Sequence, residues 1–354
     1  MKVNSVSELG AIDVVVPCYN YGRYLESCVR SILDQEAVDV RVLIIDDASP
    51  DNTAAVAQEL AARDQRVTLL RHAVNRGNIN TYNEGIEWAS AEYFLLLSAD
   101  DYLLPGALAR AAAVFNEHPE VAFTHGNAAV AKAGQPLPAI GPAPLRAPYR
   151  VTRGQAFIAE ACAESAHNRV WTPTAVVRTA LQKEVGGYRT DLPHAGDLHL
   201  WLRLACRGSV AKINAWQAVY RTHDANMHYS YPKLKNLRQH LLAFDSVFDE
   251  DRDRIASGPA LQQLYRRNIA IAALRHAQHD LLNAEQSDCA QQDYVDFAVA
   301  LDPGIKSTPV WWQLRVLQVV GGKLASATKS IVAAPVRAIR RGTRALRVLV
   351  SATH

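Results

Sequence analysis

Tyr93-Phe94-Leu95-Leu96-Leu97-Ser98-Ala99-Asp100-Asp101 is the stretch on which the fold turns. An uncharged apolar run of strand length ends in two adjacent carboxylates. Such a run, bounded by polar residues, is expected to be a buried strand of a parallel sheet. Ligands of open α/β sheets bind beyond the carboxyl ends of the strands, so Asp100 and Asp101 are expected at a binding crevice. Adjacent carboxylates repel each other. A cation on a diphosphate relieves that repulsion, because Mg²⁺ takes one or two carboxylates together with phosphate oxygens. A solvated Asp-Asp turn capping the next helix is the alternative.

Upstream, the β-branched run Ile12–Val16 stops at Pro17 and reads as a first strand. Tyr24, Leu25, Cys28, Val29, Ile32 and Leu33 then follow at helical spacing. Val40–Ile45 is a second strand, and it too ends in paired carboxylates, Asp46-Asp47. A helix to about Arg63, a strand Val67–Leu70 and a helix Ile79–Ala89 complete the run-up. Strands alternating with helices predict an α/β fold with a Rossmann-like, mostly parallel sheet. No Gly-x-Gly-x-x-Gly follows the first strand, which disfavours a dinucleotide fold, and no Gly-x-x-x-x-Gly-Lys-Ser/Thr is present. Aspartate pairs at two strand ends suit a nucleotide sugar: one carboxylate meets a base N–H, another a diphosphate-bound metal.

Five motifs in order carry a family resemblance. They are Val16-Pro17-Cys18-Tyr19-Asn20, Ile45–Asp51, Asn75-Arg76-Gly77 with Asn83-x-Gly85, Leu97–Asp101, and Gly186-Gly187-Tyr188-Arg189 running on to Gly196-Asp197 and Arg203. Together they resemble the family 2 glycosyltransferases over about residues 10 to 225. The resemblance implies a GT-A fold and a nucleoside-diphosphate-sugar donor. It implies donor binding by Pro17, Tyr19, Asn20, Asp46, Asp47, Gly77, Asn83 and Asp100, with Asp47 on the base and Asn83 fixing the Gly77 loop. Asp100 and Asp101 would match the Asp-x-Asp element that holds Mg²⁺ or Mn²⁺, although Ser98 stands where many relatives carry another Asp. Tyr220-Arg221-Thr222-His223-Asp224-Ala225-Asn226 resembles the Arg-x-His-x-x-Asn segment closing many of these domains, which makes His223 a third metal candidate. Asp197 would be the general base, the second residue of a Glu-Asp pair in which Gly196 replaces the Glu. An inverting transfer needs one base opposite the leaving phosphate, and a single Asp within hydrogen-bond reach suffices. The plain alternative for Asp197 is an N-cap, worth about 1 kcal/mol.

Between these motifs, Leu108–Asn116 reads as a helix, Val121–Thr124 and Trp171–Arg178 as strands, and Asp197 as the start of a helix. Pro136, Pro138, Pro142, Pro144 and Pro148, with Gly134 and Gly141, exclude regular structure. This segment is either a loop over the acceptor side or a connector.

The chain has 354 residues, with 38 basic and 35 acidic side chains, a balance of +3 that calls for no nucleic-acid partner. Five scattered cysteines without a Cys-x-x-Cys pair suggest neither zinc nor a disulfide framework, and fit a reducing cytoplasm. Residues 1–10 carry no secretory h-region, and no apolar stretch approaches a membrane span. Three regions are expected: a catalytic domain over 1–230, an α-helical appendage over 231–302 and a basic tail over 303–354. The tail has no Asp or Glu, and Ile331–Val350 places its apolar residues on one helical face with Arg337, Arg340, Arg341, Arg344 and Arg347 opposite. A basic amphipathic helix of this kind lies at a membrane surface. That would put the chain on the inner face of the cytoplasmic membrane, suiting a glycan or lipid-linked glycan acceptor and surface polysaccharide assembly. A core-packed helix with a solvated basic face, or an RNA-like tail, is the alternative. For the whole chain, the competing readings are a sugar-nucleotide-binding scaffold without turnover and a nucleotidyltransferase.

Overall fold

A computed structural model of the chain describes residues 9–132, 140–223, 226, 231–283 and 289–320. The β-branched run of the N-terminus forms β1 (Ala11–Cys18), followed by α1 (Gly22–Leu33), β2 (Asp39–Asp46), α2 (Thr53–Arg63), β3 (Val67–Arg71), α3 (Asn78–Trp88) and β4 (Tyr93–Leu96). β1 runs parallel to β2 from Ala11 opposite Asp39 to Cys18 opposite Asp46, and parallel to β4 with Ile12 opposite Tyr93. Parallel register brings the carboxyl ends of β1, β2 and β4 to one edge. Every residue of β4 is buried, as expected of a strand covered on both faces.

Beyond β4 the chain adds β5 (Tyr102–Leu103), α4 (Ala107–Glu117), β6 (Val121–Lys132), β7 (Tyr149–Thr152), α5 (Gly154–Ala163), β8 (Val176–Arg178), α6 (Thr179–Val185), α7 (Gly196–Ala205) and β9 (Ser209–Thr222). The described strands form one sheet in the order β3-β2-β1-β4-β8-β6-β9-β5, with β7 on β9. The β3-β2-β1-β4 half is parallel; β8 joins β4 and β6 antiparallel, while β6 and β9 are parallel to each other. The expected α/β layering is therefore present.

Two local expectations are corrected. Trp171–Arg178 is not one strand. Thr172–Thr174 is a single 3₁₀ turn, and only Val176–Arg178 pairs. Pro173 has no N–H for a ladder, and its fixed φ starts a turn readily. The strand expected at Val121–Thr124 runs on to Lys132 because Ala128, Ala129 and Ala131 are buried against β9, where propensity alone disfavours alanine. Residues 140–148 carry no helix or strand, in keeping with their prolines. Residues 133–139 and the amphipathic stretch 331–350 lie outside the described residues.

The chain divides into two compact units. One runs to Tyr231 and includes Leu242–Gly258; the other holds Pro232–Leu241 and the chain from Pro259 on. The second unit is helical, with α9 (Gly258–Asn283), α10 (Gln291–Leu301) and α11 (Pro309–Val320); the helix α8 (Lys233–Glu250) starts in it. Its core holds Tyr265, Ile269, Leu274, Tyr294, Ile305 and Leu314. Lys233 pairs with the buried Asp280 at 2.8 Å.

The motif Asn83-x-Gly85 has a packing reason at its second position. A Cβ on Gly85 would sit 2.4 Å from Cγ1 of Val15, so α3 lies on β1 only because no side chain intervenes. Gly85→Ala is expected to destabilise the first unit by about 1–3 kcal/mol, the usual cost of overpacking, read as a lower urea midpoint with an unchanged m-value.

Candidate active site

The carboxyl ends of β1, β2 and β4 open into a cleft of about 680 Å³, a volume suited to a small ligand. Pro17, Tyr19, Asn20, Asp47, Gly77, Asp100, Asp101 and Asp197 all line it. Two loops build its first wall. Asn20 adopts φ +61° after β1, and its N–H bonds Ser49 Oγ at 3.0 Å. Gly22 N–H bonds Asp51 Oδ2 at 3.0 Å. The turn after β1 is thereby tied to the turn after β2.

Asp47 organises the second wall. Its Oδ1 accepts the N–H of Arg76 at 2.7 Å and its Oδ2 the N–H of Gly77 at 2.9 Å. His72 Nδ1 meets Oδ1 at 2.7 Å while its Nε2 meets Glu84 at 2.7 Å. The turn needs φ +82° at Gly77, a region L side chains avoid, and open space lies where a Cβ would be. A ligand can therefore approach the backbone closely there.

Two expected site residues occupy other positions, and Arg221 of the closing segment is engaged elsewhere. Asp46 does not line the cleft; its Oδ1 accepts the Ser49 N–H at 3.0 Å and its Oδ2 lies 3.4 Å from Arg71 Nε. Asn83 does not hold the Gly77 loop. Its carboxamide takes the Tyr188 N–H at 2.6 Å and donates to the Tyr188 carbonyl at 2.9 Å, with Gly187 leaving it room. Arg221, half-buried, does not line the cleft. It donates to the Asp100 carbonyl at 2.9 Å and to Ser27 Oγ at 3.0 Å, with Tyr102 and Tyr24 beneath its guanidinium.

Asp100 and Asp101 lie side by side and buried. Burial lifts the Asp100 carboxyl above its ordinary range, opposed by the hydrogen bond from His223. Burial lifts Asp101 much further, the charge of Asp100 adds to it, and the Arg221 N–H opposes it at 2.9 Å. His223 Nε2 lies 3.1 Å from Asp100 Oδ2, and its ring packs against Tyr21 and Tyr24. Asn226 Nδ2 is 3.4 Å from the same oxygen. Among the described residues no three His, Cys, Asp or Glu side chains converge as a ligand set. Asp100 supplies oxygen ligands of the kind a hard divalent cation takes together with phosphate and water, while His223 Nε2 is hydrogen-bonded to that carboxylate. Asp101 adds charge behind them.

Asp197 stands across the cleft in the first turn of α7. The Tyr188 hydroxyl donates to Oδ1 at 2.8 Å, and the Thr172 hydroxyl to Oδ2 at 2.7 Å. Burial raises its carboxyl above the ordinary value, and the Thr172 and Tyr188 hydrogen bonds offset part of that rise. Tyr188 belongs to a quoted motif that pointed at no role. Thr172 and His72 gave no sequence signal, because each reaches its carboxylate from 25 residues away.

A mixed sheet flanked by helices, with acidic side chains at its strand ends, is a GT-A type of fold. A family model described as Glycosyl transferase family 2 matches residues 13–141, and the chain belongs to that glycosyltransferase family. The uncharacterized protein MT1568 of Mycobacterium tuberculosis (strain CDC 1551 / Oshkosh) is 33% identical over 220 residues, 60% of this chain and 67% of that protein. The GalNAc(5)-diNAcBac-PP-undecaprenol beta-1,3-glucosyltransferase of Campylobacter jejuni is 34% identical over 124 residues, 35% of this chain and 40% of that enzyme. The chain thus spans well under two thirds of that named transferase. S. aureus TarS 1-349 in complex with UDP-GlcNAc shares the fold, with TM-score 0.63 and 15% identity over 90% of this chain and 91% of that one.

Asp47→Ala is expected to remove an acceptor from the Arg76 and Gly77 amides, leaving Arg76 unpaired at about 1–3 kcal/mol and Gly77 with Asn75 Oδ1 alone. Their hydrogen-exchange protection should fall, while that of the β1 and β2 amides changes only with global stability.

Proposed function

We propose that this chain is a metal-dependent, inverting glycosyltransferase that moves a sugar from a nucleoside-diphosphate sugar to a hydroxyl of a glycan or lipid-linked glycan. The observation carrying the reading is that Asp47 and Asp100, after β2 and β4, and Asp197, in the first turn of α7, face one cleft. Asp47 Oδ2 keeps a lone pair beyond its bond to Gly77, so it can accept a base N–H, with Tyr19 and Pro17 beside it. Gly77 lets the donor lie against the backbone. Asp100 and His223, backed by Asp101, would hold Mg²⁺ or Mn²⁺, which when bound supplies positive charge opposite the diphosphate. Asp197 takes the proton of the acceptor hydroxyl as that oxygen attacks the anomeric carbon in line with the departing diphosphate. A carboxyl raised by burial is a stronger base than an exposed one.

The name of the C. jejuni relative supports a lipid-linked acceptor and glycan assembly as the setting. A membrane-surface location is supported by the acid-free chain from Pro303 to His354. On α11, Trp312, Val316 and Val319 are exposed at helical spacing. Among the described residues no helix is long and apolar enough to cross a membrane. Removal of the residues after Pro303 should release the chain from anionic vesicles, measured by co-sedimentation; equal sedimentation refutes the anchor.

Incubating the full chain with Mn²⁺ and a panel of nucleoside-diphosphate sugars should release nucleoside diphosphate. Release of pyrophosphate instead would mark a nucleotidyltransferase, and binding without turnover a scaffold. Asp197→Asn should lower turnover by about 10²–10⁴-fold, the usual general-base contribution, while donor binding by calorimetry persists. In the unsubstituted chain the rate should rise with pH through a limb above the ordinary Asp value of about 3.9, since only the ionised form accepts a proton. A fully active Asp197→Asn chain sinks the assignment.

A further inference from the structure

Gly186-Gly187-Tyr188-Arg189 stands out in the sequence, and the reaction as derived gives it no task. Its tyrosine is built into the site with unusual constraint. The Tyr188 ring is buried and lies edge-to-face on Tyr82 of α3, centroids 5.1 Å apart. Its backbone is clamped on both sides by one side chain, since Asn83 accepts from its N–H and donates to its carbonyl. Two glycines clear the space around this arrangement. A Cβ on Gly187 would stand 2.2 Å from Asn83 Oδ1, and one on Gly196 would stand 2.8 Å from Cδ1 of the Tyr188 ring. The residue just before the base is thus small because the tyrosine ring occupies the room of its side chain. From that position the phenol donates to Asp197 Oδ1 at 2.8 Å.

We propose that Tyr188 is the positioning residue of the transfer base: its hydroxyl, with that of Thr172, fixes the Asp197 carboxylate so that its remaining lone pairs face the acceptor hydroxyl. The proposal rests on the reading of Asp197 as the base. It accounts for the absence of an acidic residue at Gly196, because the orienting contact comes from a phenol reaching across from the Gly-Gly turn. Burial and the nearby Asp197 charge push the Tyr188 phenol well above its ordinary value, so it remains a donor wherever Asp197 is ionised. Other titratable groups around this part of the cleft are Tyr82 on α3, His194 ahead of α7, Tyr220 on β9 and the Asp100–Asp101 pair after β4. The hydrogen bonds described to the Asp197 carboxylate come from neutral hydroxyls. A donor to an ionised carboxylate lowers its pKa, and its loss raises it.

The test is Tyr188→Phe in the full chain, which keeps the ring on Tyr82 and removes only the hydroxyl. Hydrolysis of the nucleoside-diphosphate sugar that the unsubstituted chain turns over is followed against pH, with water as the acceptor. The acid limb of kcat/KM should move up by about one pH unit and kcat should fall about tenfold, as for one hydrogen bond to a charged group. The donor KM and the urea midpoint serve as controls for damage elsewhere. Thr172→Val should shift the limb in the same direction. Gly196→Ala should shift it too, with the phenol intact, because the added methyl displaces the ring. A Tyr188→Phe chain with an unmoved acid limb overturns the role of Tyr188, whatever its kcat. An unsubstituted chain that hydrolyses no donor, or an Asp197→Asn chain that hydrolyses as fast as its parent, removes the base itself and the proposal with it.

Discussion

The structure depends on burying negative charge where a ligand is to bind. Asp47, Asp100, Asp101 and Asp197 come together at the walls of one cleft, and each is met by donors fixed in place by the fold. Asp47 has two backbone N–H groups and His72; Asp101 has the Arg221 N–H; Asp100 has His223; Asp197 has two hydroxyls. Unpaired buried charge is expensive, so the cleft is shaped by where donors can be placed. Near Asp100 the compensation is incomplete. Both adjacent carboxyls are lifted by burial, and Asp101 further by the charge of Asp100.

The donors are held by close approach of backbone. Gly85 lets α3 settle on β1, and that helix carries Asn83. Asn83 grips Tyr188 through the space Gly187 leaves, and Tyr188 reaches Asp197 through the space Gly196 leaves. A chain of three missing side chains therefore runs from the sheet to the base. The motif glycines near the cleft serve packing at these positions and backbone conformation at Gly77. That distinction is physical: a positive φ with open space invites a ligand, whereas an occupied Cβ position records a neighbour.

Much of the first unit was legible from residue pattern. Buried runs of strand length, with helical periodicity between them, fixed β1 to β4 to within one or two residues. Paired aspartates at their ends located the cleft, because parallel strands must bring their carboxyl ends to one edge. Less was legible from Val121 on. The Trp171–Arg178 run looked like a strand by composition, yet Pro173 turns it, and that turn is what delivers Thr172 to Asp197. The length of β6 was invisible because alanine signals helix more readily than strand.

By itself the sequence determined the layering of the first unit and the edge at which its acids gather, since both follow from local periodicity and from the polarity of a parallel sheet. Only the tertiary structure decided which acids face the cleft and what each one touches. Asp46 and Asp47 are neighbours in the chain, yet one turns to Ser49 and Arg71 and the other to the Gly77 loop. Asn83 was expected at that loop and instead holds Tyr188. A side chain's direction at the end of a strand depends on which distant donors can reach it, and those donors, 25 to 123 residues away, are set by packing rather than by spacing.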